Sequence, residues 1–359
     1  MLDIRIKEAI DKKSGNLLII GPPGTGKTNT LINIIGYLLQ DRKIDPRKVL
    51  VFCFNRRWAK FIRERSANFI GKTIFEVPVE TFYSFCIDFL EKVNAIFRRN
   101  YVPVKVLNSV QQWKLLREIV EGADRKNYPY THKLVNQNPF TAQSYIQEVF
   151  DFILRAQENL LPPRHLSDRF TPFLNPTLSE IVGIYARYRE RLHGENSYNY
   201  GRLLEEVAEI LRNDSEVVDF FRRQYEWILV DEAQEINKAQ FEIVNSLASG
   251  NCIYFGNDDE AIYAFRGSMV DNFKYIYESL SPENIFFLKK DYRSSPVLNK
   301  ISQSFILQNR NRITKESSVL DESLIRDGSS FGESSEGSKD GEFVIKRFSS
   351  LLEEASFVC

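Results

Sequence analysis

An α/β fold with a parallel sheet wrapped by helices is predicted for this chain, on three observations. Short uninterrupted apolar runs recur at Leu17 to Ile20, Val49 to Phe54, Trp227 to Val230, Cys252 to Phe255 and Ile285 to Leu288, as strands buried on both faces do. Helical periodicities lie between several of them, the alternation that a parallel sheet requires. A Gly-rich octapeptide, Gly21-Pro22-Pro23-Gly24-Thr25-Gly26-Lys27-Thr28, joins the first run to a helical pattern at Leu31, Ile34, Ile35 and Leu38.

That octapeptide has the strand-loop-helix context of a phosphate-binding loop. Its glycines let successive backbone N–H groups turn inward around an anion, and the following helix adds the positive end of its dipole. Lys27 is expected to reach the β- and γ-phosphates and Thr28 to hold Mg²⁺. From about residue 90 to 199 the pattern changes to apolar residues at helical spacing, as at Ile146, Val149, Phe150 and Ile153, broken by Pro162-Pro163, Pro172 and Pro176. A mostly helical insertion is expected there, with Trp113, Phe140, Tyr145 and Phe152 as its packing core. Beyond it, the run Trp227 to Val230 ends in Asp231-Glu232-Ala233-Gln234, a carboxylate pair at the end of a strand, where open α/β sheets bind ligands. Asp231 suits a Mg²⁺ ligand and Glu232 a base for an attacking water. Residues 327–341 are rich in Ser and Gly and read as a linker or exposed loop. Residues 342–359 begin a strand-like and then a helix-like run.

Composition narrows the function classes. The chain has 359 residues, 43% of them hydrophobic, with Lys plus Arg and Asp plus Glu balanced at 48 each. No global basic excess advertises a nucleic-acid partner, so any such contact is a local groove. Cys53, Cys86, Cys252 and Cys359 form no C-x-x-C pair, and Cys53 and Cys252 read as core residues in a reducing, cytoplasmic compartment. His132, His165 and His193 lack metal-ligand spacing. No apolar run is long enough to span a membrane, and the first residues lack a secretory signal.

A third segment, Gly256-Asn257-Asp258-Asp259-Glu260-Ala261-Ile262-Tyr263-Ala264-Phe265-Arg266-Gly267, makes the pattern specific. The set resembles the UvrD/Rep-type superfamily 1 DNA helicases, whose segment reads approximately G-D-x-x-Q-S-I-Y-x-F-R-G. Val49 to Arg65, Thr81-Phe82-Tyr83-Ser84-Phe85, Gln240 and Asp291-Tyr292-Arg293-Ser294 resemble further family segments in family order. The resemblance implies a RecA-like P-loop NTPase core at 1–89 and 200–326, a helical insertion at 90–199, and the start of a second RecA-like core at 342–359. It implies an ATPase that moves 3′ to 5′ on single-stranded DNA or at duplex/single-strand junctions, with ATP and Mg²⁺ as cofactors. Tyr292 would stack on adenine, Arg293 touch the γ-phosphate, and Asn55, Arg56, Thr81, Tyr83, Tyr263, Phe265 and Arg266 contact DNA. A separate or downstream second motor half is the implied partner, because the family supplies a further arginine from its second core.

The departures cluster at the nucleotide. Ile6 stands where the family has an adenine-reading glutamine, Asn29 where arginine follows the Lys-Thr pair, Asn257 for aspartate, Glu235 for aspartate, and Asp291 for asparagine. Cys53 replaces a phenylalanine and Tyr83 a histidine. Glu260 replaces a neutral phosphate-sensing glutamine, so a carboxylate would face a polyanion. An arginine or metal partner is expected for Glu260. These departures motivate the competing reading, a nucleotide- or DNA-binding module with impaired catalysis.

Overall fold

In the computed structural model the described residues are 2–12, 15–98, 103–169, 175–262, 270–313 and 315. They fall in two compact units, one within residues 1–292 and 311–315 and one within residues 293–310.

The first unit runs α1 (Ile4–Lys12), β1 (Leu17–Ile20), α2 (Lys27–Gly36), β2 (Val49–Phe52), α3 (Arg56–Ile70), β3 (Val79–Glu80) and α4 (Phe82–Ile96). A helix-rich stretch follows, with β4 (Lys105–Val106), α5 (Ser109–Glu121), α6 (Pro129–Val135), α7 (Pro139–Glu158), α8 (Pro163–Arg169), α9 (Pro176–Gly194) and β5 (Ser197–Tyr198). The chain then gives α10 (Tyr200–Asn213), α11 (Ser215–Gln224), β6 (Trp227–Val230), α12 (Lys238–Leu247), β7 (Cys252–Gly256), α13 (Val270–Ser279) and β8 (Ile285–Phe287). In the second unit, α14 (Pro296–Ile306) has Pro296 in its first turn, and the Leu298 N–H donates to the Ser295 hydroxyl oxygen, the proline-after-cap start that the sequence suggests.

Six strands form one parallel sheet in the order β3-β2-β6-β7-β1-β8. All five apolar runs are strands in it, and β3, two residues long, is added at the edge beside β2. Side chains alternate across a strand, and the core divides accordingly. Leu17, Ile19, Val49, Val51, Leu229, Ile253 and Phe255 pack with α1, α2 and α3, while Leu18, Ile20, Leu50, Phe52, Ile228, Val230 and Tyr254 pack with α4, α10, α11 and α12. Burial on both faces is why these strands read as continuous apolar runs.

The helical stretch has a core of its own, with Leu116, Val149, Ile153, Ile184, Tyr185, Tyr188 and Leu192 fully or almost fully buried. Tyr145 is buried and Trp113 and Phe152 pack against this core. Phe140 does not, and is 81% exposed, because Asn138 caps α7 through the Thr141 N–H and Phe140 lies in that first turn. The end of α7 meets the sheet-bearing part: the Asn199 side-chain amide donates to Gln157 Oε1 at 2.8 Å. Cys53, Cys86 and Cys252 are buried and unbridged. Among the described residues no helix is long and apolar enough to cross a membrane. The expected linker at 327–341 and the expected second core at 342–359 lie outside the described residues.

Candidate functional site

The sheet order brings three sequence-distant segments together. Strands β6, β7 and β1 are neighbours, with Val230 opposite Tyr254 and Ile20 opposite Gly256. Their carboxyl ends therefore place the acidic pair, the Asn257 to Glu260 segment and the Gly-rich loop along one rim. The loop is pinned to that rim, since the Gly21 N–H donates to the Gly256 carbonyl at 3.3 Å. Gly24 and Gly26 have φ of 82° and 87°, a left-handed conformation that glycine adopts without steric cost. Inside the loop the Thr25 hydroxyl donates to the Pro22 carbonyl at 2.7 Å. Pro23 is exposed and Thr28 half-buried in the first turn of α2. The Tyr292 N–H donates to the Gly24 carbonyl at 3.0 Å, which fixes its backbone beside the loop. Its ring is 73% exposed, with Lys290 Nζ 5.2 Å from the centroid.

Lys27 is 8% exposed. Its ammonium donates to the Gly21 carbonyl and to Glu260 Oε1, both at 2.7 Å. The Asn257 side-chain amide donates to the same Glu260 oxygen at 3.0 Å. An arginine or a metal was expected beside Glu260; the cation that pairs with it here is Lys27. The reason is positional. Strands β1 and β7 are adjacent, and the tight turn Asp258–Glu260 after β7 swings Glu260 over the start of α2.

Asp231, 4% exposed, lies at the end of β6. Its Oδ2 accepts from the Trp58 indole at 2.6 Å and its Oδ1 from the Glu232 N–H at 3.1 Å. Burial, and then the neighbouring Glu232 charge, push its carboxyl up to about 7, while the Trp58 and Glu232 N–H groups and Lys27 pull the other way. Glu232 has φ 51° and ψ 47°, a strained position for a residue with a Cβ. Its Oε2 accepts from the Gln234 amide at 2.7 Å, and Gln234 Oε1 accepts from the Asn257 N–H at 3.1 Å. A hydrogen-bonded path thus runs from Glu232 through Gln234 and Asn257 to Glu260 and Lys27. Gly256 is required by it: a Cβ there would meet Gln234 Oε1 and Phe273 Cε2 at 2.6 Å.

The turn bearing Glu260 is also held from behind. Arg312 grips Asp259 at 2.9 and 2.5 Å, Lys315 pairs with Asp258 at 2.8 Å and also with Asp259, and the Ile313 N–H donates to Asp258 Oδ2 at 2.7 Å. Burial opposes the charge on Asp259, but the two cations outweigh it and hold its carboxyl below the usual range.

The oxygen donors Thr28, Asp231 and Glu232 fit a hard cation such as Mg²⁺, which takes one or two carboxylates plus substrate phosphates rather than an all-protein cage. No cluster of three or more His, Cys, Asp or Glu suited to a metal occurs among the described residues. A cavity of about 540 Å³ adjoins the loop, lined by Pro23, Trp58, Glu232, Gln234, Glu260 and Ile262.

The DNA candidates lie on the neighbouring side. Asn55 caps α3 by accepting the Trp58 N–H at 2.8 Å, and Arg56, the first residue of α3, is exposed. Thr81, 7% exposed, caps α4 in a reciprocal box with Ser84. Tyr83 packs against Tyr200 at 4.8 Å, and burial, then the Glu158 charge, push its phenol up. Asn55, Thr81, Tyr83 and Gln240 line one cavity of about 620 Å³, which reaches Asp231 and Glu232. Gln240 forms a capping box with Asn237 at the start of α12. Tyr263, Phe265 and Arg266 lie outside the described residues, and Arg293 belongs to the second unit.

Sequence reasoning missed Trp58, Gln234, Glu158, Arg312 and Lys315. Trp58 had a local signal: three residues after the cap Asn55, it stands in the first helical turn, at the strand-end rim. Gln234 belonged to the acidic box but was given no role. Nothing local marked the other three, whose partners lie 53 to 57 residues away for the cations and at the start of another helix for Glu158.

Comparison with known proteins completes the picture. Residues 2–281 match the family described as UvrD/REP helicase N-terminal domain. The chain is 24% identical over 354 residues to the ATP-dependent DNA helicase PcrA of Bacillus subtilis, covering 96% of this chain and 44% of that protein. It is also 24% identical to PcrA of Staphylococcus aureus, covering 86% and 40%, and to the ATP-dependent DNA helicase UvrD1 of Mycobacterium bovis, covering 86% and 39%. The chain thus spans about two fifths of the length of these curated relatives. With a parallel sheet, a Gly-rich loop and an acidic strand end in one rim, and with most of its length matched, the chain belongs to the UvrD/REP helicase family through its N-terminal domain.

Proposed function

We propose that this chain binds ATP with Mg²⁺ at the rim of the sheet and that hydrolysis there drives 3′ to 5′ movement along single-stranded DNA or at duplex/single-strand junctions. The observation that carries this reading is the hydrogen-bonded path from Lys27 to Glu232, which ties the phosphate loop to the acidic strand end. Lys27 and the N–H groups of Gly21 to Thr28 bind the phosphates. Asp231 and Thr28 hold Mg²⁺, which when bound neutralises charge on the phosphate oxygens. Glu232 orients the attacking water and takes its proton. Tyr292 offers its exposed ring to adenine, and Arg293 and Glu260 respond to the γ-phosphate. Asn55, Arg56, Thr81, Tyr83, Tyr263, Phe265 and Arg266 contact the strand, the aromatics by base-tolerant stacking. A second motor half, supplied downstream or separately, completes the arginine set around the phosphate.

A second reading is favoured by the Lys27–Glu260 pair: a module that binds nucleotide or DNA but turns over poorly, because its loop lysine is already neutralised. One experiment separates them. Calorimetry with a non-hydrolysable ATP analogue should show Lys27→Ala binding at least about a hundredfold more weakly than wild type, since the loop loses its phosphate-facing charge. Equal affinities would refute nucleotide binding at this loop. Phosphate release stimulated by single-stranded DNA in wild type supports the motor; analogue binding with no release supports the module.

A further inference from the structure

The turn Asp258–Glu260 after β7 carries three consecutive carboxylates, each met by a cation. Lys27 meets Glu260 at 2.7 Å, Arg312 meets Asp259 through two nitrogens at 2.9 and 2.5 Å, and Lys315 meets Asp258 at 2.8 Å and Asp259 as well. The Asp258 and Lys315 side chains are nearly closed to solvent, at 2% and 7% exposure, so water and salt screen these charges little. Neighbouring like charges repel. With Arg312 and Lys315 in place, the charge the turn still presents is that of Glu260, and Lys27 answers it.

Arg312 and Lys315 stand on a segment that is itself anchored. Ile313, between them, is buried in the core on the α4 side of the sheet, and its N–H donates to Asp258 Oδ2 at 2.7 Å. Asn311 accepts from the Lys274 ammonium of α13 on its carbonyl at 3.2 Å and on its side-chain oxygen at 2.6 Å. The turn's own backbone supplies the Glu260 N–H on the Asn257 carbonyl at 3.0 Å and the Ala261 N–H on the Asp258 carbonyl at 3.2 Å. A turn this short takes its position from what grips it, and the grip on Asp258 and Asp259 sets where the next residue, Glu260, points.

Resting on the nucleotide-binding reading above, we propose that Arg312 and Lys315 are positioning residues of the nucleotide site: by neutralising and gripping Asp258 and Asp259 they keep the Glu260 carboxylate on Lys27, and so hold down the affinity of the Gly-rich loop for phosphate. Without that grip the turn moves more freely, Glu260 spends less of its time at Lys27, and the ammonium is open to a phosphate oxygen. The coupling is reciprocal. A nucleotide that draws Lys27 away from Glu260 loosens the grip on Asp258 and Asp259 by the same factor.

The test uses charge-matched pairs in the full chain, because removing one cation alone would strand a buried carboxylate. Asp259→Asn/Arg312→Met and Asp258→Asn/Lys315→Met each remove one charge of either sign, so the field at the phosphate site changes little, and thermal melting reports folding. In calorimetry with a non-hydrolysable ATP analogue each pair should bind about tenfold more tightly than wild type, an ordinary scale for coupling between sites. Adding Glu260→Gln to either pair should then change affinity by less than about twofold, whereas in the wild-type chain the same substitution raises it about tenfold or more. Side chains that merely prop the fold would leave the Glu260→Gln gain untouched. The wild-type chain gives a second readout that needs no variant: hydrogen exchange at the Ile313 N–H should quicken about tenfold on saturation with the analogue. An equal effect of Glu260→Gln in all backgrounds, zero included, overturns the inference, as does an Ile313 amide that the analogue slows or leaves unchanged. No analogue binding by wild type refutes the nucleotide reading itself.

Discussion

Replacing Glu260 by glutamine should tighten nucleotide binding. The carboxylate lies 2.7 Å from Lys27 Nζ, with side-chain exposures of 23% and 9%, so the lysine that would meet the phosphates is already engaged. At an effective dielectric of about 20, opposite charges at this separation attract by roughly 6 kcal/mol. Much of that is offset by desolvation of the two groups, and the net strength of a hydrogen bond to a charged group is about 1.5–3 kcal/mol. The amide oxygen of glutamine still accepts from Asn257 and Lys27, so the packing is kept while the competing charge is removed. Affinity for a non-hydrolysable ATP analogue should therefore rise about tenfold to a hundredfold, measured by calorimetry at fixed Mg²⁺ and modest salt. Unchanged or weaker binding in Glu260→Gln would refute the idea that this carboxylate competes with phosphate, and would make it a working ligand of the bound state.

Three further outcomes follow from the geometry. Trp58→Phe removes the indole donor from Asp231 Oδ2 and should cost about 1–3 kcal/mol in urea unfolding; it should also abolish any change in tryptophan fluorescence on adding Mg-nucleotide that Trp113 and Trp227 do not report. Gly256→Ala forces a Cβ onto Gln234 and Phe273, so the melting temperature should drop by an amount equivalent to about 1–3 kcal/mol; an unchanged melt would mean the rim gives way freely. Burial pushes the Glu158 carboxyl from its ordinary 4.5 up to about 7, against Arg155 and Asn237. A carboxyl raised in the folded state binds its proton more tightly there, so its contribution to stability falls as pH rises from about 4.5 through about 7. That difference corresponds to about 3 kcal/mol at most. Glu158→Gln should then melt higher than wild type at pH 8, the gap closing by pH 4.5; a gap independent of pH would contradict the assignment.

The strands and the Gly-rich loop were legible because their signals are local. Leu17 to Ile20 is apolar throughout since both faces are covered, and Gly24 and Gly26 announce a backbone that only glycine adopts without strain. Strand β3 was not legible, because two residues carry no periodicity and Val79–Glu80 becomes a strand only by lying beside β2. The same holds for β4 and β5, which pair with each other across the helical stretch. That Lys27, Asp231 and Glu232 gather along one rim of the sheet could be read, but not their hydrogen-bond partners. Trp58 reaches Asp231 over 173 positions and Lys27 reaches Glu260 over 233, distances at which only the sheet order decides who meets whom. Phe140 shows the reverse failure: a residue with core chemistry left in solvent by its place in a first helical turn.

The left-handed backbone at Glu232 bears on how such a protein can be improved. At φ 51° and ψ 47° a residue with a long side chain is held at a cost of about 1–3 kcal/mol, and glycine or asparagine would relieve part of it. A library selected only for heat resistance or expression would therefore enrich substitutions at this position and discard the carboxylate proposed above to orient the attacking water. Selection for folding and selection for chemistry pull in opposite directions at one residue. A screen for sturdier variants has to score turnover alongside survival, or its winners will be inert.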